Sequence, residues 1–98
     1  MEKELVKESV ERDCNSLKDY KKEILQCLLE PSLGNFEDMS GTEVKLWIIG
    51  RKEEYLITLN PENAKYGVGF KNIYNEYIYL GDNDSLSDAY EIIISREE

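Results

Sequence analysis

The stretch EVKLWIIGRKEEYLITLN, residues 43–60, decides the fold, because two apolar runs flank a short polar turn in it. Side chains of residues 43–49 alternate between two faces. One face carries Val44, Leu46 and Ile48, and the other carries Lys45, Trp47 and Ile49. A second alternating run follows at residues 54–60, after the turn at residues 50–53. Two such runs joined by a short polar turn predict an antiparallel hairpin.

Further strands are predicted towards the C-terminus. Residues 60–63 form a proline-containing turn, residues 66–70 a short irregular strand with two glycines, and residues 75–80 a clear strand. Residues 86–95 are ambiguous. The apolar positions Leu86, Ala89, Tyr90 and Ile93 have helical spacing, whereas the run of three isoleucines is typical of a strand. We expect a helix here, and a fourth strand is the alternative.

The pattern towards the N-terminus is helical. Apolar side chains recur at spacings of three and four over residues 3–30, at Val6, Val10, Cys14, Leu17, Tyr20, Ile24 and Leu28. One helix of that length would span about 42 Å, more than the diameter of a small domain. Because Ser16 and Asp19 have the spacing of a capping box, we predict two helices, over residues 3–14 and 16–30. One continuous helix is the alternative.

The connection between the two halves begins at Pro31, which ends the helix because a residue before proline avoids the helical region. Residues 31–42 contain two glycines and are predicted to be a packed loop. The whole pattern predicts one α+β domain, residues 1–98, with a helical segment at 1–30 and a β-rich segment at 43–98. It has two N-terminal helices, a three- to four-stranded antiparallel sheet and a C-terminal helix.

The composition excludes several kinds of chemistry. The 98 residues include 21 acidic side chains, 12 basic ones and no histidine, which gives a formal charge of −9. Without histidine there is no Ser-His-Asp triad and no histidine-ligated metal. The pair Gly67 and Gly69 lacks the third glycine of a phosphate-binding loop, and residues 82–87 lack the glycine of a calcium loop. We predict that the protein is not an enzyme and has neither a cofactor nor a metal site.

Several features bear on location. Charged residues interrupt the first eight positions, so we predict no export signal. No stretch approaches the ~18–20 apolar residues of a membrane span. Cys14 and Cys27 lie about 220° apart around a common helix, which disfavours a disulfide between them. We therefore predict a cytoplasmic protein with reduced cysteines and no contact with membranes.

One short segment resembles a nucleic-acid-binding family. A strand ending in Tyr79-Leu80-Gly81, followed by a helix that contains Ala89-Tyr90, resembles the last strand and helix of AP2-type DNA-binding domains. The resemblance implies contact with DNA through arginine and lysine on the sheet. Residues 42–98, however, carry 6 basic and 11 acidic side chains, and a surface of that sign repels the phosphate backbone. We therefore predict no direct binding of nucleic acid.

The acidic surplus predicts a basic protein partner instead. Its field attracts cationic surfaces, which in cells usually belong to nucleases and other nucleic-acid-binding proteins. Acidic and aromatic residues interleave most densely in the last third of the chain, where tyrosine can supply stiff contact area. The predicted partner-binding residues are Glu76, Tyr77, Tyr79, Asp82, Asp84, Asp88 and Glu91. We expect an exposed ring at Tyr77 or Tyr79, and a buried one at Trp47.

The function predicted from these observations is inhibition of a basic partner by occlusion, as in an immunity protein against a nuclease toxin or a phage inhibitor of a defence nuclease. The alternative is a structural or regulatory homo-oligomer, such as a homodimer, that assembles through the apolar stripe of its N-terminal helices.

Overall fold

The computed structural model describes residues 2–97, so residues 1 and 98 of the predicted domain lie outside the described residues. The described chain has three helices, α1 (Lys3–Asn15), α2 (Lys21–Cys27) and α3 (Leu86–Glu97). None of these three is long and apolar enough to cross a membrane. Its five strands are β1 (Leu28–Glu37), β2 (Glu43–Lys52), β3 (Tyr55–Leu59), β4 (Tyr66–Lys71) and β5 (Tyr77–Asn83). The predicted α+β class is confirmed.

The strands form a closed barrel in which each pairs with the next one along the chain. These consecutive pairs are antiparallel, whereas β1 and β5 close the barrel in parallel, with Phe36 opposite Tyr77 and Glu37 opposite Ile78. The closure is parallel because an odd number of alternating strands leaves the first and last pointing the same way. The predicted count of three to four strands is too low because it omits β1.

The predicted second helix, residues 16–30, is only roughly matched. Helix α2 ends at Cys27, and Leu28 already pairs with Gly50 of β2. Pro31 contributes to this early end, since it pushes the preceding residue towards an extended conformation. The predicted packed loop at residues 31–42 is therefore mostly strand. Its local pattern hides the strand because the segment contains a proline and two glycines, which are typical of a loop.

The junction between α1 and α2 also differs from the prediction. Ser16 forms the C-cap of α1 and does not begin a second helix. Its hydroxyl donates a hydrogen bond to the Arg12 carbonyl at 3.2 Å. Tyr20 precedes α2 with a φ of 60°. The alternative of one continuous helix is wrong, because the chain leaves the helical conformation between Asn15 and Lys21.

The three helices cover one outer face of the barrel. Their buried side chains form a cluster with those of β2, β3 and β4. Its members from the helices are Val6, Val10, Cys14, Ile24, Leu86, Ala89, Tyr90 and Ile93, and those from the strands are Trp47, Ile49, Ile57, Leu59, Tyr66 and Val68. Trp47 is buried, as predicted, and its Nε1 has no hydrogen-bond partner within the described part of the chain.

A second cluster fills the barrel interior and consists of Phe36, Leu46, Ile48, Leu56 and Tyr79. Two aromatic rings fit into so small a barrel because β4 has glycine at the facing positions. A Cβ atom at Gly69 would lie 2.7 Å from the Phe36 ring, and one at Gly67 would overlap the Tyr79 hydroxyl. The glycine pair that resembles a phosphate loop in sequence therefore makes room for the core.

Helix α3 decides the ambiguity at residues 86–95 in favour of a helix. The backbone N–H of Asp88 donates to the Ser85 hydroxyl at 3.1 Å, which caps the first turn. The four positions with helical spacing, Leu86, Ala89, Tyr90 and Ile93, are all buried. Burial of this stripe against the barrel outweighs the strand propensity of the isoleucines.

Candidate partner-binding surface

The seven predicted binding residues do not form one continuous site. Glu76 and Tyr77 lie where β5 begins, Asp82 and Asp84 lie at its far end, and Asp88 and Glu91 lie on α3. Tyr79 lies between the two ends and is only 6% exposed. The expectation of an exposed ring is therefore wrong for Tyr79, whose side chain alternates into the barrel interior and packs against Phe36.

The aspartates at the far end of β5 are partly engaged within the chain. Asp82 accepts hydrogen bonds from the Tyr79 hydroxyl and, at 3.0 Å, from Asn63 Nδ2. Burial and the Asp82 carboxylate together raise the pKa of Tyr79, because both disfavour the phenolate. Asp84 Oδ1 lies 3.8 Å from Lys65 Nζ, and the Asp84 side chain remains largely exposed. Asp82 is thus a structural residue, whereas Asp84 is free to face solvent.

The two predicted binding residues on α3, Asp88 and Glu91, are also exposed. Asp88 lies in the first turn, where a negative charge is favourable near the positive end of the helix dipole. Glu91 accepts a weak hydrogen bond of 3.4 Å from the Tyr20 hydroxyl. The Tyr20 and Tyr90 rings lie 5.1 Å apart, and Tyr90 belongs to the main core. Glu91 is thereby held at the junction between α2 and α3, away from Glu76 and Tyr77.

Closure of the barrel produces an acidic site that the sequence does not reveal. Where β1 meets β5, a hollow of about 560 Å³ is lined by Asn35, Phe36, Glu37, Gly41, Glu43, Asn75, Glu76 and Tyr77. We call it the acidic hollow. It contains two of the predicted binding residues, Glu76 and Tyr77, and adds Glu37 and Glu43. Sequence reasoning missed these two because it treats residues 31–42 as a loop, which leaves their partners undefined.

The charges in the acidic hollow repel one another. Glu37 and Glu43 are direct partners in the register of β1 and β2, on either side of the connecting loop. Both are exposed, and neither forms an ion pair with any side chain that the structure describes. Like charges placed opposite each other destabilise a sheet. Folding therefore gains nothing from this arrangement, whereas a positive group placed between the two carboxylates would be attracted by both.

The walls of the acidic hollow are rigid. The loop between β1 and β2 is held by Asp38, whose Oδ1 accepts hydrogen bonds from the Ser40 hydroxyl at 2.7 Å and from the Ser40 and Thr42 backbone N–H groups at 2.9 Å. These bonds lower the pKa of Asp38, since they stabilise its charged form. On the other wall the half-buried Tyr77 ring stacks on Phe36 at a centroid distance of 5.0 Å.

Basic residues lie beside the acidic hollow without entering it. Lys71 lies on β4, and its Nζ is 5.6 Å from the centroid of the Tyr77 ring. Lys71 and Arg51 line a separate hollow of about 330 Å³ together with Glu54, Leu56 and the same tyrosine. Tyr77 therefore separates a negative from a positive depression, which would orient a charged partner on this end of the barrel.

An apolar groove lies elsewhere, between α1 and the start of β1. It has a volume of about 480 Å³, and its floor includes Val10, Cys14 and Ile49. The half-exposed side chains of Leu25 and Leu29 form part of its wall. Burial raises the pKa of the Cys14 thiol, so this cysteine is a poor nucleophile.

Comparison with known proteins finds no relative. No protein-family model matches the chain, and neither the curated proteins nor the solved structures searched contain a match. No group of three or more cysteine, aspartate or glutamate side chains that could hold a metal ion occurs among residues for which the structure is described.

Proposed function

We propose that this protein binds a basic protein, such as a nuclease, and inhibits it by covering its cationic surface. The observation that carries the proposal is the acidic hollow, where Glu37 and Glu43 oppose each other without a counter-ion in the described chain. An arginine or lysine side chain from a partner would fit between the two carboxylates and remove their repulsion. The stability lost in the free protein is then recovered in the complex.

The charge of the whole chain supports the same partner. A net charge of −9 on 98 residues creates a negative field around most of the molecule. Such fields raise the association rate with a cationic protein by roughly 10- to 1,000-fold at low ionic strength. Once docked, an acidic body occupies the place of the phosphates that the partner would otherwise bind. Inhibition by this route needs no catalytic residue.

The predicted binding residues divide among three roles under this proposal. Glu76 and Tyr77 belong to the contact itself, together with Glu37 and Glu43. The exposed carboxylates of Asp84, Asp88 and Glu91 contribute to the surrounding field. Asp82 and Tyr79 hold each other and stabilise the end of β5, so neither is expected to contact the partner directly.

The test is an inhibition assay with a panel of purified nucleases with isoelectric points above about 9. Digestion of labelled DNA is measured with and without the protein, and affinity is measured by calorimetry from about 0.05 M to about 0.5 M NaCl. At the upper limit the screening length falls to about 4 Å. We expect at least one nuclease to be inhibited, with affinity that falls steeply with salt. Absence of binding across the panel at low salt would overturn the proposal.

A pair of charge-matched variants locates the contact. The triple variant Glu37→Gln, Glu43→Gln and Glu76→Gln removes three charges from the acidic hollow. The control, Glu4→Gln, Glu8→Gln and Glu11→Gln, removes three exposed charges from α1. We expect the hollow variant to lose more than about tenfold in affinity and the α1 variant to lose much less. Equal losses would show that charge acts without a localised contact.

A homodimer is the second candidate function, and the apolar groove is the observation that favours it. The predicted interface is the apolar stripe of both N-terminal helices, but its members Val6, Val10, Cys14 and Ile24 pack into the chain's own core. Leu25 and Leu29 could pair with a second copy instead. The charge of −9 works against such pairing, since two like-charged bodies repel. Sedimentation of the wild type and of a Leu25→Ser, Leu29→Ser variant distinguishes the two cases: a dimer lost in the variant favours self-assembly, and a monomer in both excludes it.

A further inference from the structure

The β4–β5 hairpin carries two large apolar side chains at its end. Ile73 is 89% exposed and Tyr74 is 75% exposed, and we call these two adjacent residues the hairpin tip. Single exposed apolar residues are common on protein surfaces, but an adjacent pair at a projecting turn makes almost no contact with the rest of the fold. The hairpin tip thus contributes little to folding stability.

The hairpin tip is held in one conformation by the residues around it. Asn72 Oδ1 accepts hydrogen bonds from the backbone N–H groups of Tyr74 and Glu76, both at 2.9 Å. The Asn72 N–H donates to the Glu76 carbonyl at 2.9 Å, and the Asn75 N–H donates to the Asn72 carbonyl at 3.0 Å. The tip is therefore already ordered before binding. An ordered loop loses little conformational entropy when it docks, which favours its use as a contact.

The hairpin tip is continuous with the acidic hollow. Asn75 and Glu76, the next two residues along the chain, line that hollow, and Asn72 Nδ2 donates to Glu76 Oε1 at 3.2 Å. The same side chain thus positions both the apolar pair and one of the hollow's carboxylates. The arrangement resembles the general anatomy of binding sites, in which a tyrosine or an aliphatic anchor lies beside charged residues.

We propose that Ile73 and Tyr74 are the apolar anchor that enters a pocket on the basic partner while the acidic hollow binds the adjacent cationic side chains. This inference rests on the proposed function and adds an apolar pocket beside the partner's cationic surface. Charge complementarity selects the occupant. The carboxylates beside the tip repel an anionic membrane, and the chain's net charge opposes docking of a second copy.

The test uses the nuclease that binds the wild type most tightly in the panel described above. Its affinity is measured at several salt concentrations for two variants. One is the double variant Ile73→Ala, Tyr74→Ala, which we call the tip variant, and the other is the triple glutamine variant of the hollow. We expect the tip variant to lose about 900-fold in affinity with an unchanged salt dependence, because each anchor contributes roughly 30-fold and the two losses multiply. The hollow variant is expected to reduce the salt dependence itself.

Matched controls separate the outcomes. Leu5→Ala, Leu33→Ala removes two half-exposed leucines from α1 and β1 and is expected to leave affinity unchanged. Thermal unfolding of the tip variant should match that of the wild type, since the side chains of Ile73 and Tyr74 are exposed.

A tip variant that binds as tightly as the wild type overturns the anchor and leaves the proposed function intact. A wild type that binds no nuclease overturns both. Tip-dependent binding to phosphatidylserine vesicles, or tip-dependent self-association in sedimentation, assigns the tip to a membrane or to a second copy and likewise overturns the anchor.

Discussion

Glycine at position 67 illustrates how single residues set the dimensions of the barrel. A Cβ atom there would overlap the Tyr79 hydroxyl and lie 2.6 Å from the Gly81 carbonyl oxygen. Because the carbonyl belongs to the backbone of the neighbouring strand, it cannot move without disturbing the pairing of β4 with β5. The side chain that strand propensity would favour at this position is excluded by the core.

We therefore expect Gly67→Ala to destabilise the protein by about 1–3 kcal/mol, the usual cost of overpacking. Urea denaturation measures the loss. Tyr79→Phe removes the overlapping hydroxyl, so combining it with Gly67→Ala should cost less than the sum of the two single changes. Rescue should be partial, since the clashes with the Gly81 carbonyl oxygen and with Cε1 of the residue 79 ring remain. Strict additivity would contradict the contact between Gly67 and Tyr79.

Tyr66 provides a second test at the residue scale. Its buried hydroxyl donates to Asp13 Oδ2 at 2.5 Å and joins β4 to α1. Burial, followed by this bond to a carboxylate, raises the pKa of Tyr66 far above its ordinary value of 10.0. The folded state thus holds this proton more tightly than the unfolded state does. The contribution to stability is complete below pH 10.0 and is lost as the pH rises further.

The expected result is a fall in the free energy of unfolding between about pH 8 and about pH 11, with a smaller fall for Tyr66→Phe. Urea denaturation at the two pH values measures it. Tyr74→Phe is the matched control, because its side chain is exposed and should leave the pH dependence unchanged. If Tyr66→Phe and Tyr74→Phe followed the same curve as the wild type, the buried bond to Asp13 would not hold in solution.

At the scale of elements, the β2–β3 hairpin contains a local conflict between residue type and backbone conformation. Glu53 has a φ of 55°, in the left-handed region that favours glycine, whereas its neighbour Glu54 does not have a positive φ. Both side chains are exposed, and the two positions differ in backbone conformation and in that Glu54 lines the hollow of Lys71 and Arg51. A non-glycine residue in the left-handed region costs roughly 1–2 kcal/mol.

We expect Glu53→Gly to stabilise the protein by about 0.5–1 kcal/mol, since relief of strain exceeds the added entropy of the unfolded chain. Glu54→Gly should destabilise it by a similar amount, because there the glycine adds entropy and relieves nothing. The two variants are compared by their midpoints of thermal unfolding. Each of them removes one negative charge. A shift of both midpoints in the same direction would mean that charge, and not φ, controls stability at this turn.

At the scale of the whole molecule, the acidic surplus acts on stability as well as on binding. The net charge of −9 makes the folded state repel itself, and pairs such as Glu37 and Glu43 concentrate that repulsion. Raising NaCl from about 0.01 M to about 0.5 M shortens the screening length from about 30 Å to about 4 Å. We therefore expect the free energy of unfolding in urea to increase with salt. A decrease would show that favourable ion pairs outweigh the repulsion.

The predictions that hold are those that depend on local patterns in the sequence. Helix α1, the β2–β3 hairpin and helix α3 follow from the sequence, because each depends on the spacing of apolar side chains within a short window. Strand β1 does not, because Leu28 continues a helical stripe and residues 31–42 contain a proline and two glycines. The candidate site is divided in the same way: Glu76 and Tyr77 are found in sequence, whereas Glu37 and Glu43 depend on β1.

By itself, the amino-acid sequence determined the α+β class, the absence of histidine chemistry and the sign of the molecule's field, since these depend on local periodicity and composition. Only the tertiary structure decided that β1 exists, that it closes a barrel against β5, and that three glutamates line one hollow beside an exposed Ile73–Tyr74 pair. The physical reason is that barrel closure pairs residues distant in the chain, such as Phe36 and Tyr77, and its free energy comes from burial and hydrogen bonds that no local window contains.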